Sequence, residues 1–146
     1  MTAHYLSLSA EETIALGHTF GQTLPNNSVV CFFGDLAAGK TTFIKGLVEG
    51  ITKKSKDEVI SPTFVYLNIY PGNPTVYHFD LYRLRDADEF LSMGFDELFF
   101  AQGICCIEWS ERINALLPSN AIRIELKHQG INTRRITITR EEIGQI

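Results

Sequence analysis

The sequence lacks an excess of positive charge, and this lack limits how the protein can meet nucleic acid. Its 146 residues include 13 lysines and arginines against 17 aspartates and glutamates, for a formal net charge of -4. Binding to nucleic acid draws most of its affinity from basic side chains that neutralise phosphates. We therefore expect any role in nucleic-acid metabolism to run indirectly, through partner proteins.

The sequence also has few cysteines and no long apolar segment. Cys31, Cys105 and Cys106 form no CxxC pair, and adjacent cysteines in a strand point to opposite faces, so we expect reduced thiols and no metal cluster. The first residues show neither the basic nor the apolar segment of an export signal. No run reaches the length of a membrane span. These absences predict a cytoplasmic protein that does not enter a membrane.

What the sequence does contain is an alternation of strand-like and helix-like patterns. Its length suits one hydrophobic core, so we expect a single domain over residues 1–146. The predicted helices cover 9–24, 40–51, 86–93 and 111–117, and the predicted strands cover 28–33, 64–70, 75–79, 104–109, 121–127 and 134–139. A Pro-Gly-Asn-Pro turn after Tyr70 predicts an antiparallel hairpin. The expected fold class is α/β, with a central mixed sheet flanked by helices.

The clearest motif lies between the first predicted strand and the second predicted helix. Residues Gly34 to Thr41 read Gly-Asp-Leu-Ala-Ala-Gly-Lys-Thr and match G-x-x-x-x-G-K-[ST], the phosphate-binding loop of P-loop NTPases. Glycines let backbone N–H groups point at phosphate oxygens, and the helix start adds its positive dipole end. Lys40 supplies a cation, and the Thr41 hydroxyl suits Mg²⁺. The candidate nucleotide-binding residues are Gly34, Ala37, Ala38, Gly39, Lys40, Thr41 and Thr42.

Two acidic residues end predicted strands and are candidates for the second Mg²⁺ partner. Glu108 follows Ile-Cys-Cys-Ile, and Asp80 follows Val-Tyr-His-Phe. A P-loop normally needs a carboxylate at the end of a nearby buried strand, which reaches the ion directly or through water. Either acid, taken alone, is also compatible with an ordinary surface position. Because both acids follow apolar strands in a chain with a phosphate-binding loop, the pattern favours a site that the two share.

These motifs occur in the order found in a known protein family. After the loop come Thr42 and Gly46, then Ser-Pro-Thr-Phe at 61–64, His-Phe-Asp-Leu-Tyr-Arg-Leu at 78–84, and Ile-Glu-Trp-Ser-Glu at 107–111. Over nearly its full length the chain resembles the bacterial TsaE family, also called YjeE. That family is the P-loop ATPase of tRNA threonylcarbamoyladenosine (t6A) biosynthesis. The block at 78–84 is the most specific part of the resemblance.

The resemblance implies an ATPase with weak intrinsic hydrolysis that partner proteins stimulate. Those partners are TsaD and TsaB, whose complex transfers threonylcarbamoyl to adenosine 37 of tRNAs that read ANN codons. The tRNA would be reached only through this complex. On the family pattern the catalytic residues are Lys40, Asp80 and Glu108, the cofactors are ATP and Mg²⁺, and the metal ligands are Thr41 and Glu108.

Further roles follow from the same resemblance. Asp80 would act in hydrolysis by placing the attacking water, and residues 61–64 would form a switch-like loop that senses the γ-phosphate or the partner. Trp109 would lie close to the nucleotide. The base pocket would draw on residues near Ser9 and Asn132.

The loop departs from the family at one position, Ala37, where glycine is usual. Alanine reaches positive φ only at a cost of roughly 1 kcal/mol. Either the loop is slightly shifted, or this position does not need positive φ.

Two polar groups outside the motif have ordinary structural interpretations. For His78 we favour a structural hydrogen bond over a catalytic base, because it shares a strand face with Asp80. For the basic residues of the last two strands, Lys127, Arg134, Arg135 and Arg140, we favour protection of edge strands over contact with tRNA.

The motif alone also allows other functions. A small-molecule or nucleoside kinase is the main alternative, since a P-loop with an Asp at a strand end suits phosphoryl transfer to a hydroxyl. Against it, the chain after Gly94 has no long lid segment with clustered arginines. A nucleotide-dependent binding module without turnover is the third possibility.

Overall fold

The centre of the protein is one seven-stranded sheet, seen in a computed structural model that describes residues 1–35 and 37–140. The strands are β1 (Thr2–Ser7), β2 (Val29–Phe33), β3 (Leu67–Tyr70), β4 (Val76–Asp80), β5 (Ile104–Glu108), β6 (Ile122–His128) and β7 (Arg134–Thr139). Their order across the sheet is β1-β7-β6-β2-β5-β4-β3. The predicted α/β class with a mixed central sheet is confirmed.

Parallel pairing in the middle of the sheet decides where the site lies. β2 runs parallel to β5 and to β6, and β4 runs parallel to β5. The outer pairs are antiparallel, including the predicted hairpin of β3 with β4. Because β2, β4 and β5 point the same way, their carboxyl ends meet at one edge, where ligands bind in open α/β sheets. The phosphate-binding loop, Asp80 and Glu108 all lie at this edge.

Helices cover both faces of the sheet. They are α1 (Ala10–Gly21), α2 (Lys40–Thr52) and α3 (Ala87–Ser92), with 3₁₀ segments at Lys56–Glu58, Phe95–Phe100 and Ser110–Leu116. The predicted cap of α1 is present, since the Ser9 hydroxyl accepts a hydrogen bond from the Glu12 backbone N–H at 3.1 Å. Residues of α1 and α2 build one hydrophobic core against the sheet. Phe90 of α3 and Phe99 belong to a second core on the opposite face.

α1 and α2 pack with their backbones almost in contact, because glycines line their interface. A Cβ atom built on Gly46 would lie 1.9 Å from the Ile14 carbonyl oxygen, and one on Gly17 would lie 2.1 Å from the Phe43 carbonyl oxygen. No side chain fits at these distances. The glycines therefore set the spacing of the two helices, and α2 carries the phosphate-binding loop at its N-terminal end.

The structure corrects the sequence analysis near the N-terminus and after residue 63. β1 was not predicted, although it pairs along its whole length with β7. The strand predicted for 64–70 is wrong in its first half, because β3 begins only at Leu67. Residues 64–66 form a turn in which the Val65 and Tyr66 backbone N–H groups both donate to the Pro62 carbonyl. The short helix predicted after Trp109 is present as a kinked 3₁₀ segment.

The two adjacent cysteines lie on opposite faces of β5, as predicted. Cys106 packs in the core under α1 and α2, and Cys105 packs in the opposite core. Both thiols and that of Cys31 are buried and free. Burial raises the pKa of Cys31 to about 11 and that of Cys105 to about 12. In the part of the chain described, every helix is too short or too polar to cross a membrane.

Candidate functional site

The phosphate-binding loop joins the end of β2 to the first residue of α2. Gly34 and Gly39 have φ angles of 145° and 104°, in the region that disfavours side chains. A Cβ on Gly34 would also lie 2.5 Å from the Leu126 carbonyl oxygen. Lys40 begins α2 and is almost fully buried. Its ammonium group donates to the Gly34 carbonyl at 2.9 Å and lies 4.6 Å from the centre of the Trp109 ring.

Ala37 adopts the left-handed conformation in this loop, with a φ angle of 64°. The expectation that this position might avoid positive φ is therefore wrong. Alanine in this conformation raises the energy of the loop by about 1 kcal/mol relative to glycine. Leu36, the preceding residue of the loop, lies outside the described residues.

Thr41 and Glu108 face each other across the edge of the sheet. The Thr41 hydroxyl lies 3.4 Å and 3.3 Å from the two carboxylate oxygens of Glu108. Glu108 ends β5, is 4% exposed, and also contacts His78 Nε2 at 2.7 Å. The hydrogen bond expected for His78 is present, but its partner is Glu108 on the next strand. A hydroxyl and a carboxylate at this spacing are the hard oxygen donors that Mg²⁺ prefers.

Asp80 ends β4 beside Glu108, since the two residues are paired in the parallel register. Its Oδ2 atom accepts hydrogen bonds from the hydroxyls of Ser61 at 2.6 Å and Thr63 at 3.0 Å. Its Oδ1 atom accepts from the Tyr82 backbone N–H at 3.0 Å. The carboxylate thus holds the 61–64 segment against the carboxyl end of the sheet.

Phe64, the residue after Thr63 in the 61–64 segment, turns away from the site. Phe64 is 79% exposed, and the Arg83 guanidinium stacks on its ring with 4.4 Å from Cζ to the ring centre. One short segment therefore touches Asp80 with its hydroxyls and presents an aromatic ring to solvent.

These groups surround one cavity of about 530 Å³. It is lined by Ser9, Ala10, Thr13, Ala37, Gly39, Lys40, Thr41, Thr42, Ser61, Thr63, Asp80, Glu108, Trp109, Asn132 and Arg134. The positions expected near the base, Ser9 and Asn132, both lie on its wall. Gly34 and Ala38 line a different cavity, of about 480 Å³, behind the loop.

The sequence analysis missed Arg134 as a member of this cavity. Arg134 begins β7, and its guanidinium donates to the carbonyls of Ile131 and Thr133 at 3.2 Å. A longer contact of 3.5 Å reaches the Ala37 carbonyl. No local pattern marks this residue, because only the pairing of β6 with β7 brings the C-terminal turn beside the phosphate-binding loop. The edge-strand interpretation of the basic residues on the last two strands is wrong, because β6 and β7 both lie inside the sheet, between β1 and β2.

Comparison with known proteins places this arrangement in a family. The profile of the family described as "Threonylcarbamoyl adenosine biosynthesis protein TsaE" matches residues 7–136. The chain belongs to the TsaE family. This assignment agrees with the order of motifs read from the sequence.

Relatives from two bacteria support the same family. The chain is 41% identical over 133 residues to the tRNA threonylcarbamoyladenosine biosynthesis protein TsaE of Treponema pallidum, an alignment that covers 91% of this chain and 97% of that protein. It is 39% identical to TsaE of Bacillus subtilis, over 91% of this chain and 82% of that protein. The crystal structure of Bacillus subtilis YdiB superposes with a TM-score of 0.78 at 32% identity, covering 96% of this chain and 86% of that one.

Proposed function

We propose that this TsaE protein binds and hydrolyses ATP with Mg²⁺ and acts on the TsaB–TsaD complex. In that role it serves the threonylcarbamoyl modification of adenosine 37 in tRNAs that read ANN codons. The observation that carries the proposal is the pairing of Thr41 with Glu108 beside a phosphate-binding loop. Family membership supports this function over the small-molecule or nucleoside kinase that the loop motif alone also allowed.

The loop supplies the groups that hold the phosphates. Ala37 and residues 39–42 line the cavity at the N-terminal end of α2, where the helix dipole and free backbone N–H groups favour anions. Lys40 would exchange its bond to the Gly34 carbonyl for the outer phosphate oxygens. Its ammonium group lies against the ring of Trp109, another residue of the cavity wall.

The donor set at Thr41 and Glu108 fits Mg²⁺ bound together with a nucleotide. In the described residues, no group of three or more His, Cys, Asp and Glu side chains is arranged to hold a metal alone. Mg²⁺ usually keeps several waters and takes one or two protein ligands plus substrate phosphates. Thr41 and Glu108 would hold it, and its charge would neutralise charge that develops on the phosphates.

Asp80 is the residue we propose for positioning the attacking water. The water oxygen bonds to the γ-phosphorus, the bond from that phosphorus to the bridging oxygen breaks, and ADP leaves with that electron pair. The proton released from water passes to the phosphate product or to solvent. Asp80 also accepts hydrogen bonds from the hydroxyls of Ser61 and Thr63. Loss of the γ-phosphate would therefore affect the 61–64 segment through Asp80.

We propose that the protein alone turns over ATP weakly, because its cavity is open to solvent. The cavity is bordered on one side by exposed groups such as Asn132 and by a segment whose Phe64 faces solvent. A partner that covers this side would exclude water and complete the site. We propose TsaD and TsaB as those partners, with tRNA reached only through them, because the chain itself carries a net charge of -4.

The same proposal covers domain organisation and location. One sheet that carries the loop, both acids and the C-terminal turn supports a single domain over residues 1–146. The proposed role in tRNA modification and the three reduced, buried thiols support a cytoplasmic location.

The deciding experiment measures ATP turnover with and without purified TsaB and TsaD. We expect turnover that the partners stimulate and that Lys40→Ala or Glu108→Gln abolishes. Lys45→Ala is the matched control, since this lysine lies on the same helix outside the cavity. Modification of tRNA that proceeds equally well without this protein would contradict the proposal. A phosphorylated small molecule among the products would favour the kinase instead.

A further inference from the structure

Two side chains contact the Glu108 carboxylate. Thr41 belongs to the phosphate-binding loop, whereas His78 lies outside the loop, on β4. Thr41 approaches both carboxylate oxygens, whereas His78 Nε2 approaches Oε2 alone, at 2.7 Å. His78 lies two residues before Asp80 on β4, and the parallel register sets it beside Cys106, two residues before Glu108. The contact therefore bridges two neighbouring strands under α2.

The surroundings of His78 determine which of its ring nitrogens donates a hydrogen bond. The side chain is fully buried, and its Nδ1 atom has no hydrogen-bond partner among the described residues. A carboxylate accepts hydrogen bonds, so Nε2 carries a hydrogen and donates it to Glu108.

This hydrogen bond limits the orientations open to the Glu108 carboxylate. Without His78, the contacts that hold the glutamate side chain among residues 1–35 and 37–140 would be two, of 3.3 Å and 3.4 Å, to the Thr41 hydroxyl. Partners of this kind, behind a carboxylate that binds a metal, orient the ligand, and their loss commonly weakens metal binding by about 10–100-fold. Core packing alone would not require a polar ring at this position.

We infer that His78 is a positioning residue, which aims the Glu108 carboxylate at Thr41 so that the pair is ready to receive Mg²⁺ with the nucleotide. The inference rests on the proposed function, because it assigns a metal role to Glu108. It gives His78 no contact with nucleotide or water. His78 should affect the binding of the metal, and the affinity for nucleotide in the absence of metal should not depend on His78.

Three substitutions separate the hydrogen bond from the bulk of the ring. In His78→Gln the side-chain amide nitrogen lies as many bonds from the backbone as Nε2, so the donor to Glu108 is kept. In His78→Asn the amide reaches only as far as Nδ1, which has no partner. His78→Leu removes both polar atoms. Gln and Asn are therefore a matched polar pair that differs in reach.

The readout is the Mg²⁺ dependence of ADP binding, followed by fluorescence of Trp109. This residue is the single tryptophan of the chain and lines the cavity. We expect His78→Asn and His78→Leu to need about 10–100-fold more Mg²⁺ to reach half of the full effect on ADP affinity. We expect His78→Gln to stay near the wild type. ADP affinity in EDTA should be the same for all four proteins.

The outcomes separate this inference from the function on which it rests. If the wild type responds to Mg²⁺ and all variants match it, the inference about His78 is overturned and the proposed function stands. Equal losses in EDTA and in Mg²⁺ would show a merely structural histidine and would also overturn it. If ADP binding by the wild type does not depend on Mg²⁺, the metal role of Glu108 is overturned first. The comparison of Gln with Asn decides the question even if the Leu variant fails to fold.

Discussion

The close spacing of α1 and α2 predicts that one added methyl group between them will strongly lower the stability of the protein. In Gly46→Ala the new Cβ would start 1.9 Å from the Ile14 carbonyl oxygen, whereas ordinary contacts begin near 3.4 Å. The helices would have to separate by the difference, about 1.5 Å, because the opposing atom is backbone and has no rotamer to change. Residues of both helices that pack in the shared core would lose contacts as the gap opened.

Two opposing terms decide the size of this effect. Alanine is a better helix former than glycine, which favours the variant by about 1 kcal/mol. Overpacking of a tight interface costs about 1–3 kcal/mol, and sometimes more. The helices are equally close at Gly17 and Gly50, where an added Cβ would lie 2.1 Å and 2.4 Å from a backbone oxygen of the other helix. The whole interface would have to open, so we take the upper end. The expected net loss is about 2 kcal/mol, which lowers the melting temperature by roughly 6–10 °C.

The same displacement should weaken nucleotide binding. α2 starts at Lys40, and residues next to the start of α1 line the opposite wall of the cavity. Urea unfolding followed by circular dichroism measures stability, and titration with ADP and Mg²⁺ measures binding. Gly130→Ala is the matched control, because its Cβ would find its nearest neighbour at 3.9 Å. A Gly46→Ala variant as stable as the wild type, or more stable, would refute the reasoning.

Three further predictions concern the loop, the water-positioning acid and the thiols. Ala37→Gly removes a left-handed cost of about 1 kcal/mol, offset in part by the greater freedom of glycine in the unfolded chain, so urea unfolding should show no loss of stability. Ala37→Val should lower the unfolding midpoint, since a β-branched residue tolerates this φ poorly. Asp80→Asn should keep ADP affinity and lower partner-stimulated turnover by about 100-fold or more, and unchanged turnover would contradict the role of Asp80. Lost turnover with intact function in cells would favour a binding module that needs no hydrolysis. Burial raises the pKa of Cys31 to about 11, from an ordinary value of 9.0, and that of Cys105 to about 12, while the pKa of Cys106 is also raised. Iodoacetamide at about pH 8 should therefore label no thiol before unfolding and all three in urea, and stability should fall as the pH rises above about 9, because the thiols ionise first in the unfolded chain. Labelling of the native protein at the unfolded rate would contradict their burial.

Features encoded by consecutive residues could be predicted from the sequence. The phosphate-binding loop needs only a buried strand, a glycine-rich turn and a helix in succession, and β2 and α2 flank it as expected. The capping serine of α1 and the apolar run of β5 are equally local signals. The family could be named for the same reason, since its motifs are short and ordered along the chain.

Residues 64–66 favour strand conformation, but their backbone hydrogen bonds form a turn. Phe64, Val65 and Tyr66 all favour strands, yet two of their N–H groups close a turn onto the Pro62 carbonyl, and Tyr66 has a φ angle of 67°. β1 carries exposed residues at most positions and exists because β7 offers it a free edge. Neither outcome follows from the composition of the segment itself.

By itself, then, the sequence determined the nucleotide-binding loop, the two acids at strand ends and the family. Tertiary structure alone decided that Glu108 faces Thr41 and His78, that Asp80 holds Ser61 and Thr63, and that Arg134 reaches the Ala37 carbonyl. The physical reason is the range of the interactions. Helix starts and turns are set by groups a few residues apart, whereas a site at a sheet edge depends on which strands become neighbours and in which register.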